Sequence, residues 1–145
     1  MKDPKLDRLK SVPLFAQCSR KQLEFLASRT DEVDLPAGRA LTRQGEITDS
    51  FYLILDGEVE VSVDGAERPV LKPGDYLGEI GMLDRGPATG TTTTRTNARL
   101  MVMSHAQFRD AITAEPDLLE LVLAVVAQRL RRDEQQRAAQ SPPGG

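Results

Sequence analysis

Phe51-Tyr52-Leu53-Ile54-Leu55-Asp56-Gly57-Glu58-Val59-Glu60-Val61-Ser62-Val63-Asp64-Gly65 is the stretch that decides the fold. Two short runs, 51–55 and 59–63, alternate in the manner of strands with one buried face, and each is followed by an Asp-Gly pair. Glycine accepts a positive φ without a side-chain clash, so Asp-Gly between apolar runs is a strong turn signal. The same punctuation recurs at Pro36-Ala37-Gly38, Gln44-Gly45-Glu46 and Lys72-Pro73-Gly74-Asp75. Many short strands at regular spacing predict a mainly β chain over 31–103, an antiparallel jelly-roll-like β-barrel, closed or nearly closed.

Outward from this zone the pattern changes to helix. On the N-terminal side, residues 1–30 hold a short hydrophobic turn, Ser11-Val12-Pro13-Leu14-Phe15. A helix follows, with Ser19 as N-cap, Gln22 completing a capping box and Leu23, Phe25 and Leu26 on its apolar face. On the C-terminal side, Leu100-Met101-Val102-Met103 reads as the last strand. Ser104 with Gln107 forms a second capping box, opening a helix through Phe108 and Ile112. Pro116 suits the first turn of a longer helix reaching about Arg137. The C-terminal helices thus occupy 104–138, with a disordered tail expected over 139–145. Within the strand zone, Glu79-Ile80-Gly81-Met82-Leu83-Asp84 interrupts the β pattern as one short helical turn that Gly86-Pro87 ends, and Thr91 to Thr94 resume it.

Composition bounds the function. A chain of 145 residues, 39% hydrophobic and 28% charged, suits one globular domain with one core. No apolar run approaches the roughly 20 residues needed to span a bilayer, and MKDPKLDRLK lacks the apolar centre of a signal peptide. A cytoplasmic location without membrane partner is therefore expected. One cysteine forms no internal disulfide; Cys18, just before a helix, reads as a small packed residue. His105, the single histidine, reads as a surface or first-turn helix residue, and no metal site is expected. A net charge of −3 argues against nucleic acid as a partner.

Six motifs in register, Pro13-Leu14-Phe15, Gly38, Gln44-Gly45-Glu46 with Asp49-Ser50-Phe51-Tyr52, Ile54 to Val61, Pro73-Gly74-Asp75, and Leu77 to Leu83, resemble the cyclic nucleotide-binding domain. That family includes catabolite activator proteins, protein kinase A regulatory subunits and cyclic-nucleotide-gated channels. The resemblance covers roughly 9–132. It implies a phosphate-binding cassette at 78–91, a ligand (cyclic AMP or cyclic GMP) in place of any cofactor, and ligand contacts from Gly78, Glu79, Ile80, Gly81 and Met82. A short helix with a glycine-rich approach offers free N–H groups to a compact anion. Glu79 falls where the family's glutamate accepts from the ribose 2′-hydroxyl.

The chain departs from the family at the charge partner. Where the motif usually reads Pro-Arg-Ala-Ala or Pro-Arg-Thr/Ser-Ala, this sequence has Pro87-Ala88-Thr89-Gly90-Thr91, so Ala88 stands in the arginine's place. Thr89 matches a hydroxyl residue some members use on the phosphate or guanine edge. Arg85 is close enough to compensate, although it also reads as an exposed helix-end cation. Losing one charge-assisted hydrogen bond implies affinity lower by about 10- to 100-fold.

The resemblance makes the last helix a lid over the ligand. Leu118-Val122-Val125 form one stripe for packing on the barrel. Leu119-Leu123-Val126-Leu130 form a second, which suits either a homodimer seam or a wide core-facing helix in a monomer. The expectation is a stand-alone, non-enzymatic cyclic nucleotide sensor, acting through lid-helix movement on an unidentified protein effector. The rival is a degenerate domain serving as an interaction scaffold. A cupin-like metal enzyme is disfavoured by the single histidine.

Overall fold

The computed structural model describes residues 4–140. Most of the expected C-terminal tail lies outside that range. The helices are α1 (Pro4–Lys10), α2 (Arg20–Ser28), α3 (Glu79–Asp84), α4 (His105–Ala114) and α5 (Pro116–Gln140), with a 3-10 turn at Pro13–Phe15. The strands are β1 (Asp31–Leu35), β2 (Ala40–Thr42), β3 (Ser50–Asp56), β4 (Val59–Val63), β5 (Ala66–Leu71), β6 (Tyr76–Leu77), β7 (Thr91–Thr94) and β8 (Ala98–Ser104).

They form two four-stranded antiparallel sheets, β1-β8-β3-β6 and β2-β7-β4-β5. The expected antiparallel β architecture with helical ends is present, but as two sheets; among the described residues no ladder closes them into a barrel. β3 and β4 belong to different sheets, so the Asp56-Gly57 turn carries the chain from one to the other. Gly57 has φ +90°, and a Cβ there would meet the Asn97 carbonyl oxygen at 2.4 Å. Asp64-Gly65 is the true hairpin: both residues have positive φ and join β4 to β5.

The first sheet is a middle layer. Phe51, Leu53 and Leu55 of β3, with Met101 and Met103 of β8, pack into the cluster formed with the helices. Tyr52 and Ile54, with Ala98, Leu100 and Val102, turn the other way to meet Val59, Leu41 and Leu71 of the second sheet. β3 is thus apolar on both faces rather than alternating apolar with polar, because both of its faces are covered.

The local helix signals act as expected. Ser19 Oγ accepts from the Gln22 N–H at 3.2 Å while Gln22 Oε1 accepts from the Ser19 N–H at 2.8 Å. Ser104 and Gln107 do the same at 3.1 and 2.8 Å. Each box satisfies two N–H groups that helix geometry leaves open. Cys18 is buried in the helical cluster. α5 buries Leu118, Val122 and Val125 in the helical cluster and packs chiefly on the 3-10 turn and α4. Its other stripe is open: Leu119, Leu123 and Leu130 are 39, 56 and 57% exposed, while Val126 packs partly against the helical cluster.

Candidate functional site

α3 lies on the segment that enters β3, and its glycines permit that approach. Gly78 adopts φ +81°, and a Cβ there would come 2.2 Å from the Ser50 carbonyl oxygen. A Cβ on Gly81 would come 2.6 Å from Thr48 Cγ2. The helix ends at Arg85, itself left-handed at φ +54°, whose N–H donates to the Gly81 carbonyl at 2.8 Å. The following chain is stitched to the 45–48 loop: Ala88 N–H donates to Glu46 O at 2.8 Å, Gly45 N–H to Ala88 O at 2.9 Å, and Thr48 N–H to Gly86 O at 3.0 Å.

Between this arch and the second sheet lies a cavity of about 340 Å³. Its wall comprises Gly78, Glu79, Ile80 and Gly81 from α3 and its entry, and Pro87 to Gly90 from the arch. Thr42, Val61, Val63, Leu71 and Thr92 come from the second sheet, with Thr48, Tyr76 and Leu77 completing it. Six of the residues singled out in the sequence, Gly78, Glu79, Ile80, Gly81, Ala88 and Thr89, are therefore brought together.

Two others are not. Met82 is fully buried in the helical core, facing away from the cavity wall; its carbonyl, 2.8 Å from His105 Nδ1, ties α3 to α4. His105 is thus a partly buried first-turn residue with a bonding role rather than a free surface group. Arg85 is exposed and outside the wall, because the left-handed residue that ends α3 turns away from the cavity side. Thr91 Oγ1 is committed to the Gln44 N–H at 3.0 Å.

Glu79 is the one charged side chain on the wall. Its Oε1 accepts a hydrogen bond from Arg129 Nη1 of α5 at 2.6 Å, and the two side chains are 14 and 29% exposed. Its Oε2 is buried without a partner among the described residues. Hydrogen bonding to Glu79 raises the Arg129 pKa, so the guanidinium stays charged. Burial, then the Glu79 charge, lifts the Tyr76 hydroxyl above its ordinary value, and Arg129 pulls it back in part. The sheet side of the cavity is lined by a hydroxyl chain: Thr42 Oγ1 lies 2.8 Å from Thr92 Oγ1 and donates to Gly90 O at 2.9 Å. Arg129, Tyr76, Thr42 and Thr92 were not distinguishable in the sequence as site residues. Arg129 lies 50 positions from Glu79, in a run with two further arginines, and no local signal separates it from them.

The cavity thus sets a carboxylate oxygen without a partner among the described residues beside a short helix entered through glycines. The chain belongs to the cyclic nucleotide-binding domain family, whose model matches residues 32–115. It is 34% identical over 124 residues to a CRP-like cAMP-activated global transcriptional regulator of Mycobacterium tuberculosis, covering 82% of this chain and 55% of that protein. It is 31% identical over 103 residues to the cAMP-dependent protein kinase regulatory subunit of Emericella nidulans, covering 70% of this chain and 25% of that one. Among solved structures it resembles the N-terminal domain of a transcriptional regulator from Streptomyces coelicolor A3(2), with TM-score 0.80 and 31% identity. That likeness covers 89% of this chain and 96% of the other. The chain spans about half the length of the first of these relatives and a quarter of the second.

Proposed function

We propose that this chain is a regulatory domain that binds a cyclic nucleotide in the cavity beneath α3 and passes the binding event to a protein partner through α5. The observation that carries the reading is Glu79: a half-buried carboxylate on the cavity wall with Oε1 bonded to Arg129 and Oε2 buried without a partner among the described residues. Leaving such an acceptor unmade costs about 1–3 kcal/mol, which a ribose 2′-hydroxyl donating to Oε2 recovers. Its similarity to a cAMP-activated regulator and a cAMP-dependent protein kinase regulatory subunit favours cyclic AMP over cyclic GMP. The exposed Leu119, Leu123 and Leu130 offer an effector, or a second copy of the chain, an apolar stripe. The reading is of a binding domain in the cytoplasm, without catalysis.

Ala88 favours a second reading, a domain that keeps the fold as an interaction scaffold and has given up the nucleotide. Calorimetric titration decides between them. Cyclic AMP or cyclic GMP should bind at micromolar affinity or weaker, and linear 5′-AMP worse, because its open phosphate is more flexible and carries more negative charge beside Glu79. Flat titrations with both cyclic nucleotides up to millimolar concentration would hand the case to the scaffold.

A further inference from the structure

A cyclic phosphate brings one negative charge, and the cavity wall opposes it with no cationic side chain among the described residues. Ala88 is uncharged, and among the described residues the only charge on the wall is the Glu79 carboxylate, which has the wrong sign. Left alone it would repel an arriving anion, since like charges in a partly desolvated site interact far more strongly than in bulk water.

The opposing charge comes from a distant part of the chain. Arg129 reaches Glu79 Oε1 from α5, and beyond it side chains 130–139 are all exposed. We infer that Arg129 is the cation that makes this site receptive to an anionic ligand, delivered by α5 in place of an arginine at position 88. The inference rests on the cyclic nucleotide reading above and adds a residue to it.

Two features of the geometry support this role. Arg129 engages one carboxylate oxygen and leaves the other without a partner, so a ribose hydroxyl can donate to Oε2 while the Oε1 contact stays intact. The guanidinium is also a fork of five N–H donors that remains charged at all accessible pH, and a single carboxylate oxygen does not exhaust it. Arg129 is not itself on the cavity wall. It is a positioning residue, neutralising Glu79 and fixing the orientation of its carboxylate. Because the same contact fastens α5 beside the ligand, occupancy of the cavity and the position of α5 are linked, and the linkage is reciprocal.

The test is a set of titrations with cyclic AMP and cyclic GMP at low and high salt. The proteins are the parent, Arg129→Gln, Arg129→Lys, Ala88→Arg and the Ala88→Arg/Arg129→Gln double variant. Glutamine keeps the length and helix preference of the side chain and removes its charge. Arg129→Gln should weaken binding on the order of 10-fold at low salt, and less at high salt. Arg129→Lys should stay within about threefold of the parent, because the charge is kept while the fork is lost. In the Ala88→Arg background the Arg129→Gln loss should shrink, since a second cation on the wall then offsets part of the Glu79 charge. A salt-insensitive loss of equal size in both backgrounds would mean that Arg129 only braces α5. Unchanged or tighter binding by Arg129→Gln would mean that Arg129 competes with the ligand for Glu79. Either result overturns this inference and leaves the cyclic nucleotide reading standing, whereas no binding by the parent overturns both.

Discussion

Alanine at the two glycines of α3 should have unequal costs, and the difference follows from what each new Cβ would strike. At Gly78 the obstacle is the Ser50 carbonyl oxygen at 2.2 Å, part of the β3 backbone and unable to rotate away. The left-handed φ of +81° adds about 1–2 kcal/mol for any residue with a Cβ. Relief requires α3 to lift from β3, loosening the fully buried Met82, so overpacking adds about 1–3 kcal/mol more. Gly78→Ala should therefore destabilise by about 3 kcal/mol, a fall of roughly 10 °C in melting temperature for a chain of this size. At Gly81 the obstacle is mainly a side-chain methyl, Thr48 Cγ2 at 2.6 Å, with Thr48 O at 3.2 Å behind it. The overpacking there is offset by about 1 kcal/mol of helix preference for alanine over glycine. Gly81→Ala should melt within a few degrees of the parent. Thr48→Ser removes the offending methyl, so the Thr48→Ser/Gly81→Ala pair should be more stable than the sum of the singles predicts by about 1 kcal/mol. Thermal melts followed by circular dichroism on the four variants measure all of this. A Gly78→Ala protein that melts with the parent, or strict additivity of Thr48→Ser with Gly81→Ala, would refute the packing account of the cassette glycines.

Glu79→Ala should weaken cyclic nucleotide binding by about tenfold or more, because the ribose hydroxyl loses its acceptor; calorimetry showing parent-like affinity would remove Glu79 from the site. A chain ending at Asp117 loses Leu118, Val122 and Val125, which are 1, 3 and 7% exposed, and uncovers the 3-10 turn and α4. It should be less soluble in sedimentation assays and bind more weakly; equal solubility and affinity would show that α5 is neither cover nor lid. Burial raises the Cys18 thiol above its ordinary value of 9.0, so the folded state keeps the proton longer than the unfolded chain does. The stability this contributes is complete below about pH 9 and is lost as pH rises through the folded value, so Cys18→Ala should show a shallower alkaline decline in urea melts than the parent. A maleimide at about pH 8 should label Cys18 slowly in the native protein and readily in urea; equal rates would show the thiol is not buried.

How much of this protein could be read from its sequence depends on the reach of each signal. Capping boxes act across three residues, and both Ser19/Gln22 and Ser104/Gln107 close as the sequence predicts. Turn glycines act on their own φ, and Gly38, Gly45, Gly57, Gly65 and Gly74 are all positive. The short helix at Glu79–Asp84, entered through Gly78, follows from such local rules, whereas the helix at Pro4–Lys10 is not among the expected elements.

The tertiary structure decided which faces are covered. The run 51–55 reads as a strand from its residues, but only packing between helices and a second sheet explains why both faces are apolar. The Asp56-Gly57 turn announces a reversal without saying that β3 and β4 part into different sheets. Met82 and Arg85 lie in the same motif as Glu79, yet the helical period sends Met82 into the core and the left-handed end of α3 leaves Arg85 in solvent. Arg129 meets Glu79 because Leu118 and Val122 seat α5 against the 3-10 turn and α4, fixing where its fourth turn falls. Local preferences act over a few residues along the chain; a contact across 50 positions exists only once burial of the apolar stripe has set the helix in place.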